Sequence, residues 1–161
     1  MLFRLNNSSF SRLISIRRYS DYDRLEQVIL QNTIRTSGIF VPEIALQLIT
    51  PELKSYHESY SNHNAEKLGP EPFWAFFWPG GQVLTRYILD FSSVFSGKRV
   101  FDLGSGCGAS AIAALSAGAA KPVLSNDIDR MALAATSINA RQNGFNPSSD
   151  LTLSGDNFLE A

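Results

Sequence analysis

The sequence is poor in the residues that announce secretion, metal binding or membrane insertion. It has a single cysteine, Cys107, which excludes an intramolecular disulfide framework and fits a reducing compartment such as the cytosol or the mitochondrial matrix. Its two histidines, His57 and His63, lie in a polar stretch without a metal-ligand pattern, so no metal site is expected. No run approaches the roughly 20 consecutive apolar residues that span a bilayer. Basic and acidic residues nearly cancel, 14 against 15, which leaves no broad positive field for nucleic acid or anionic lipid. Neither partner is expected. What the chain does have is a 44% apolar content over 161 residues, enough for one ordinary globular core.

Acidic residues are also absent from Met1 to Ser20, where Arg4, Arg12, Arg17 and Arg18 alternate with serines and with Leu2, Leu5, Leu13 and Ile16. A basic amphipathic helix of this kind is what matrix import reads, whereas a secretory signal needs a continuous apolar centre. Residues 1–20 are therefore expected to be a mitochondrial transit peptide outside the fold, with the mature protein in the matrix. Residues 21–96 are expected to form an N-terminal extension with an aromatic segment, and 97–161 a ligand-binding part.

Within the extension, Leu25, Val28, Ile29 and Asn32 recur at the 3.6-residue period, which predicts a helix from Asp21 to Asn32. Ile44, Leu46 and Leu48 alternate with smaller or polar neighbours, which predicts a strand closed by Thr50-Pro51. The chain from Tyr56 to Pro72 is polar and rich in turn residues, and it runs into the aromatic segment Phe73 to Gly81. A helix from Gln82 to Phe91 follows, with Val83, Leu84, Tyr87 and Ile88 expected on its packed side. Trp74 and Phe76 are expected to be core residues.

From Arg99 onward strands and helices alternate, the rhythm of a parallel α/β sheet. Strands are expected at Arg99 to Leu103, Pro122 to Asn126 and Leu151 to Ser154. The helix from Ala109 to Ala117 closes at Gly118, and Asp129 caps a helix that runs to Asn143 and stops at Gly144.

The informative segment is Val100 to Ala109, a strand that ends in Gly104-Ser105-Gly106-Cys107-Gly108 and opens a helix. Such a turn brings backbone and free helix amides against a cofactor, because glycine adopts dihedrals closed to other residues. Asp127 ends the next strand, about 20 residues beyond the loop, the place where dinucleotide folds put a carboxylate on ribose hydroxyls. The loop alone also satisfies the relaxed dinucleotide pattern, so a nicotinamide-dependent oxidoreductase is an alternative. Asp102, two residues before the first glycine, favours a different ligand: a carboxylate there repels a pyrophosphate and attracts an ammonium group. Cys107 in the loop is read as a small filler, since nothing near it in sequence would lower its pKa.

An acidic residue two positions before Gly-x-Gly-x-Gly, followed by Asp127, resembles the cofactor motifs of the seven-strand class I (Rossmann-like) methyltransferases. Trp78-Pro79-Gly80-Gly81, Tyr87-Ile88-Leu89-Asp90, the run from Pro42 to Pro51 and Asn126-Asp127-Ile128-Asp129 resemble the protein-lysine methyltransferases among them. The resemblance covers roughly residues 40–160. It implies S-adenosylmethionine as cofactor, with Gly104 and Gly106 under its methionine part and Asp102 on its ammonium. It also implies Asp127 on the ribose hydroxyls, Asp156 or Asn157 on the adenine amino group, and Trp78 as a wall of the pocket. The substrate implied is a protein, the beta subunit of the electron transfer flavoprotein, and a monomeric enzyme is expected. In such enzymes the residues that receive the lysine follow a fourth strand. With three strands in the sequence, the fold class expected is the N-terminal half of the Rossmann-like α/β fold, from a chain read as truncated. A non-catalytic cofactor-binding or regulatory fragment is the second alternative, and a methyltransferase of RNA or small molecules a third.

Overall fold

The computed structural model describes residues 19–53, 68–69 and 71–158. Most of the expected leader, together with His57 and His63, lies outside the described residues. Helix α1 (Tyr19–Asn32) is followed by strands β1 (Ile34–Gly38) and β2 (Val41–Leu48), then a 3-10 turn at Phe73–Ala75 and helices α2 (Pro79–Asp90) and α3 (Ser92–Phe95). The second part alternates β3 (Phe101–Leu103), α4 (Ala109–Ser116), β4 (Val123–Asn126), α5 (Arg130–Gln142), the short α6 (Pro147–Asp150) and β5 (Leu151–Ser154).

Strands β3, β4 and β5 form a parallel sheet in that order, with Phe101 beside Leu124 and Val123 beside Leu151. Parallel neighbours need a helical crossover, which α4 and α5 supply. The sheet is buried where it has neighbours on both sides: every residue of β4 is buried, whereas edge strand β3 exposes Phe101 and Leu103. Asp102 lies on this edge strand and is itself the most buried residue of the three. Both crossover helices are alanine-rich and nearly enclosed. Ala111, Ala113 and Ala114 of α4 and Ala132, Ala134 and Ala135 of α5 have essentially no exposure, and a methyl side chain lets a helix lie close to a strand or a second helix.

The extension folds back on this sheet. β1 and β2 form an antiparallel hairpin, with Ile34 opposite Leu48 and Thr36 opposite Leu46. β2 is the expected strand; β1, of sequence Ile-Arg-Thr-Ser-Gly, was not expected, because only its last residue is buried and it carries no apolar alternation. Val41, Ile44, Leu46 and Leu48 join Ile88, Ile112, Val123 and Leu151 in one apolar cluster. Ile29, Ile49, Trp74, Met131 and Ile138 build a second. Trp74 is a core residue as expected, and Phe76 packs at the border of that cluster.

Helix α2 corrects one expectation. Its period places Val83, Leu84 and Tyr87 with Ile88, but the buried residues are Thr85 and Ile88, and Val83, Leu84 and Tyr87 are exposed. The helix carries apolar residues on two sides, so periodicity cannot say which of them packs. Contact with α4 selects the narrower Thr85/Ile88 side.

Candidate cofactor site

The ends of the three parallel strands bring the glycine loop, Asp127 and Asp156 to one rim, the carboxyl edge where open α/β sheets bind ligands. Leaving β3, the chain turns through Gly104, Gly106 and Gly108, at φ values of +71°, +53° and +79°. This left-handed region costs an L-residue about 1–2 kcal/mol. The loop is fastened at its base, where the Ser105 amide donates to the Asn126 carbonyl at 2.8 Å and the Gly108 amide to the Ser105 carbonyl at 2.8 Å.

Space above the loop differs from one glycine to the next. A side chain at Gly104 would meet nothing within 4 Å, and one at Gly106 would meet only the Trp74 Cα, at 3.8 Å. A side chain at Gly108 would be driven into Thr136, 2.6 Å from its Cγ2. The first two glycines therefore leave an open floor, and the third is packed against α5. The Ser105 hydroxyl is buried without a protein partner among the described residues.

Asp102 and Asp127 are set by backbone amides. The Asp102 Oδ2 accepts from the Ala111 amide of α4 at 3.1 Å. Burial, with the nearby Asp127 charge as a lesser cause, pushes its carboxyl up to about 6. Asp127 accepts one amide on each oxygen, Gly106 at 2.9 Å on Oδ2 and Asp129 at 3.0 Å on Oδ1. Since each carboxylate oxygen has about two lone-pair sites, these bonds fix the plane of Asp127 and leave a further site on each oxygen for a ligand.

Asp129 is the expected helix cap: its side chain accepts from the Met131 amide at 2.8 Å. Asp156 lies two residues past the end of β5, on the same rim. Its Oδ2 accepts from the Ser154 hydroxyl at 3.0 Å, and its carbonyl from the Asn126 side chain at 2.9 Å. Asn157 follows and is exposed. Cys107 is buried and its thiol is pushed up to about 11 by that burial, in keeping with a packing role.

Trp78 lies in an aromatic group with Phe73 and Phe76, ring centroids 6.2 and 5.7 Å away, and its indole N–H donates to the Phe73 carbonyl at 2.9 Å. Half of its surface is exposed. The residue of this segment that approaches the glycine loop in the structure is Trp74, through its backbone. The segment is braced by the hairpin, because the Ile49 amide donates to the Ala75 carbonyl at 2.9 Å.

Two loop partners escaped sequence reasoning. The Thr136 hydroxyl donates to the Gly106 carbonyl at 3.2 Å, and the Asn139 side-chain amide to the Cys107 carbonyl at 2.8 Å. Both belong to α5, about 30 residues further along the chain, and no local pattern marks them.

Residues 84–161 match the family model of Ribosomal protein L11 methyltransferase (PrmA). Over 132 residues the chain is 46% identical to the electron transfer flavoprotein beta subunit lysine methyltransferase of Mus musculus, covering 80% of this chain and 49% of that protein. The protein of the same name in Danio rerio is 42% identical over 149 residues, 89% of this chain and 55% of the relative. Among solved structures, a ribosomal protein L11 methylase from Lactobacillus delbrueckii subsp. bulgaricus is 32% identical, covering 56% of this chain and 44% of that one with a TM-score of 0.45. The chain spans about half the length of the curated relatives it matches.

Proposed function

We propose that this chain is a seven-strand class I methyltransferase and forms the S-adenosylmethionine-binding part of a protein-lysine N-methyltransferase, a reading supported by the match of residues 84–161 to a methyltransferase family model and by the relatives at 42–48% identity. The relatives that match most of its length are named for the electron transfer flavoprotein beta subunit, and we take that subunit as the substrate. The basic, acid-free stretch from Met1 to Ser20 supports a transit peptide and a site of action in the mitochondrial matrix.

The observation that carries the reading is the bond between Asp102 and the Ala111 amide. In a dinucleotide fold the first-turn amides of the helix after the glycine loop receive pyrophosphate. Here a carboxylate occupies one of those amides, so the position offers negative charge to a ligand instead of accepting it. An ammonium group is stabilised there and a diphosphate is repelled. S-adenosylmethionine fits this donor set: Asp102 takes its ammonium, the Gly104 and Gly106 backbone lies under its methionine part, and the open lone pairs of Asp127 take two ribose hydroxyls. Asp156 or Asn157 accepts the adenine amino group, and the exposed face of Trp78 shields the pocket from water.

When bound, this cofactor supplies a methyl group on a positively charged sulfur, which departs readily when a neutral amine attacks in line. The residues of this chain orient the ligand and lower the local dielectric. Holding the reacting groups in register is worth several kcal/mol in such a displacement.

Calorimetric titration of the full chain with S-adenosylhomocysteine and, in parallel, with NAD tests the cofactor. Micromolar binding of the first and none of the second is expected; the reverse ranking establishes the oxidoreductase alternative. For the substrate, mass spectra of the flavoprotein beta subunit from mitochondria lacking the enzyme are expected to lose methyl groups on lysine. Unchanged spectra reject that assignment.

A further inference from the structure

Helix α5 carries Thr136, Asn139 and Asn143 at intervals of three and four residues, which places them on one face. Thr136 and Asn139 have no solvent exposure. Polar side chains buried this completely are costly unless their hydrogen bonds are made, and here each is made to a backbone that is not its own helix. Thr136 donates to the Gly106 carbonyl at 3.2 Å. Asn139 donates to the Cys107 carbonyl at 2.8 Å and accepts from the Gln47 amide of β2 at 2.7 Å. Asn143 accepts from the Ala45 amide at 3.0 Å and donates at 2.7 Å both to the Ala45 carbonyl and to the Asn139 carbonyl of its own helix.

The spacing has a geometric reason. Four residues of helix rise about 6 Å and two residues of strand rise about 6.6–6.8 Å. Asn139 and Asn143 therefore fall opposite Gln47 and Ala45, the outward-facing positions on the side of β2 that β1 leaves unpaired. The two amides finish the strand edge as a neighbouring strand would. Asn139 alone does this while its other end grips the glycine loop.

We propose that Thr136 and Asn139 are positioning residues for the cofactor, holding the Gly106 and Cys107 carbonyls back onto α5 so that the loop's open side faces the ligand, and that Asn139 makes the β1–β2 hairpin part of that support. The inference rests on the glycine loop being the cofactor site. Asn143 is the built-in control, since it holds the same hairpin without touching the loop.

The test uses the full chain and four variants, each followed by thermal unfolding, by S-adenosylhomocysteine titration well below the melting point, and by amide exchange at Gly106 to Ala109. Thr136→Val keeps the shape and removes the donor, so affinity falls about 3-fold to 10-fold, the worth of one hydrogen bond, and the loop amides exchange faster. Thr136→Ser keeps the donor and restores both. Asn139→Ala and Asn143→Ala each lower the melting temperature, but only Asn139→Ala weakens binding, by about tenfold. Equal loss of affinity in the two asparagine variants, or wild-type affinity in Thr136→Val, overturns the proposal and leaves α5 a purely structural helix. If the unaltered chain binds no S-adenosylhomocysteine, the cofactor reading fails on its own; unchanged loop exchange in Thr136→Val then removes the positioning role as well.

Discussion

The glycine loop has a front and a back, and they are built from opposite chemistry. Behind it stand Thr136 and Asn139, neutral, fully buried and bonded to loop carbonyls. In front stand Asp102, Asp127 and Asp156, ionisable, partly buried and held by backbone amides or a hydroxyl. A buried charge behind the loop would need a partner; at the rim Asp127 and Asp156 keep part of their hydration, and Asp102, pushed up to about 6 by burial, gains a partner if a cationic ligand binds. On the proposed reading, the back sets the loop's shape and the front its preference for charge.

The sharpest way to break this division is to push the loop off its back. Gly108→Ala adds a methyl 2.6 Å from Thr136 Cγ2 at a φ of +79°. Overpacking and backbone strain together predict a loss of about 3 kcal/mol, read as a lower midpoint in chemical denaturation; a midpoint within error of wild type refutes the packing described. The next largest effect lies at the front. Asp127→Ala removes the acceptor proposed for two ribose hydroxyls and is expected to weaken S-adenosylhomocysteine about 100-fold, while analogues that lack the ribose lose only the smaller part that comes from freeing the Gly106 amide.

A smaller effect separates charge from shape. With its carboxyl pushed up to about 6, Asp102 binds a proton in the folded chain that the unfolded chain releases at lower pH. The ligand-free protein therefore loses stability as pH rises from about 4 to 6. A cationic ligand favours the ionised form, so affinity rises with pH through about 6 and is roughly tenfold lower at pH 5 than on the plateau. Asp102→Asn is expected to abolish that pH dependence and to weaken binding of the amino-acid end; a profile that stays flat in the wild-type chain refutes the ammonium assignment. The smallest effect lies away from both sides. Arg86 bridges Glu43 and Asp90 at 2.7 Å on the surface, and Arg86→Ala should shift stability by less than about 1 kcal/mol with no change in ligand affinity.

Much of this site was legible before the fold. Gly104, Gly106 and Gly108 mark a turn by the dihedrals only they adopt, Gly118 and Gly144 stop helices at φ of +81° and +83°, and Asp129 caps α5 through an amide two residues away. All are local signals, complete within a few residues of chain. The same holds for the three parallel strands, found within two residues of their expected bounds. Strand β1 was not legible, because its partner rather than its own polar sequence makes it a strand. The packed side of α2 was misread because two apolar stripes compete, and only the position of α4 chooses between them.

The amino-acid order by itself determined the alternation of strand and helix, the glycine turn and the acids at its margin, since each depends on backbone preference and on neighbours close in the chain. Tertiary structure alone decided that an asparagine in the middle of a helix would join two segments lying 92 and 32 residues away from it. A buried amide is specified by whichever carbonyl and amide the fold carries to it, and that pairing exists only after the chain has closed.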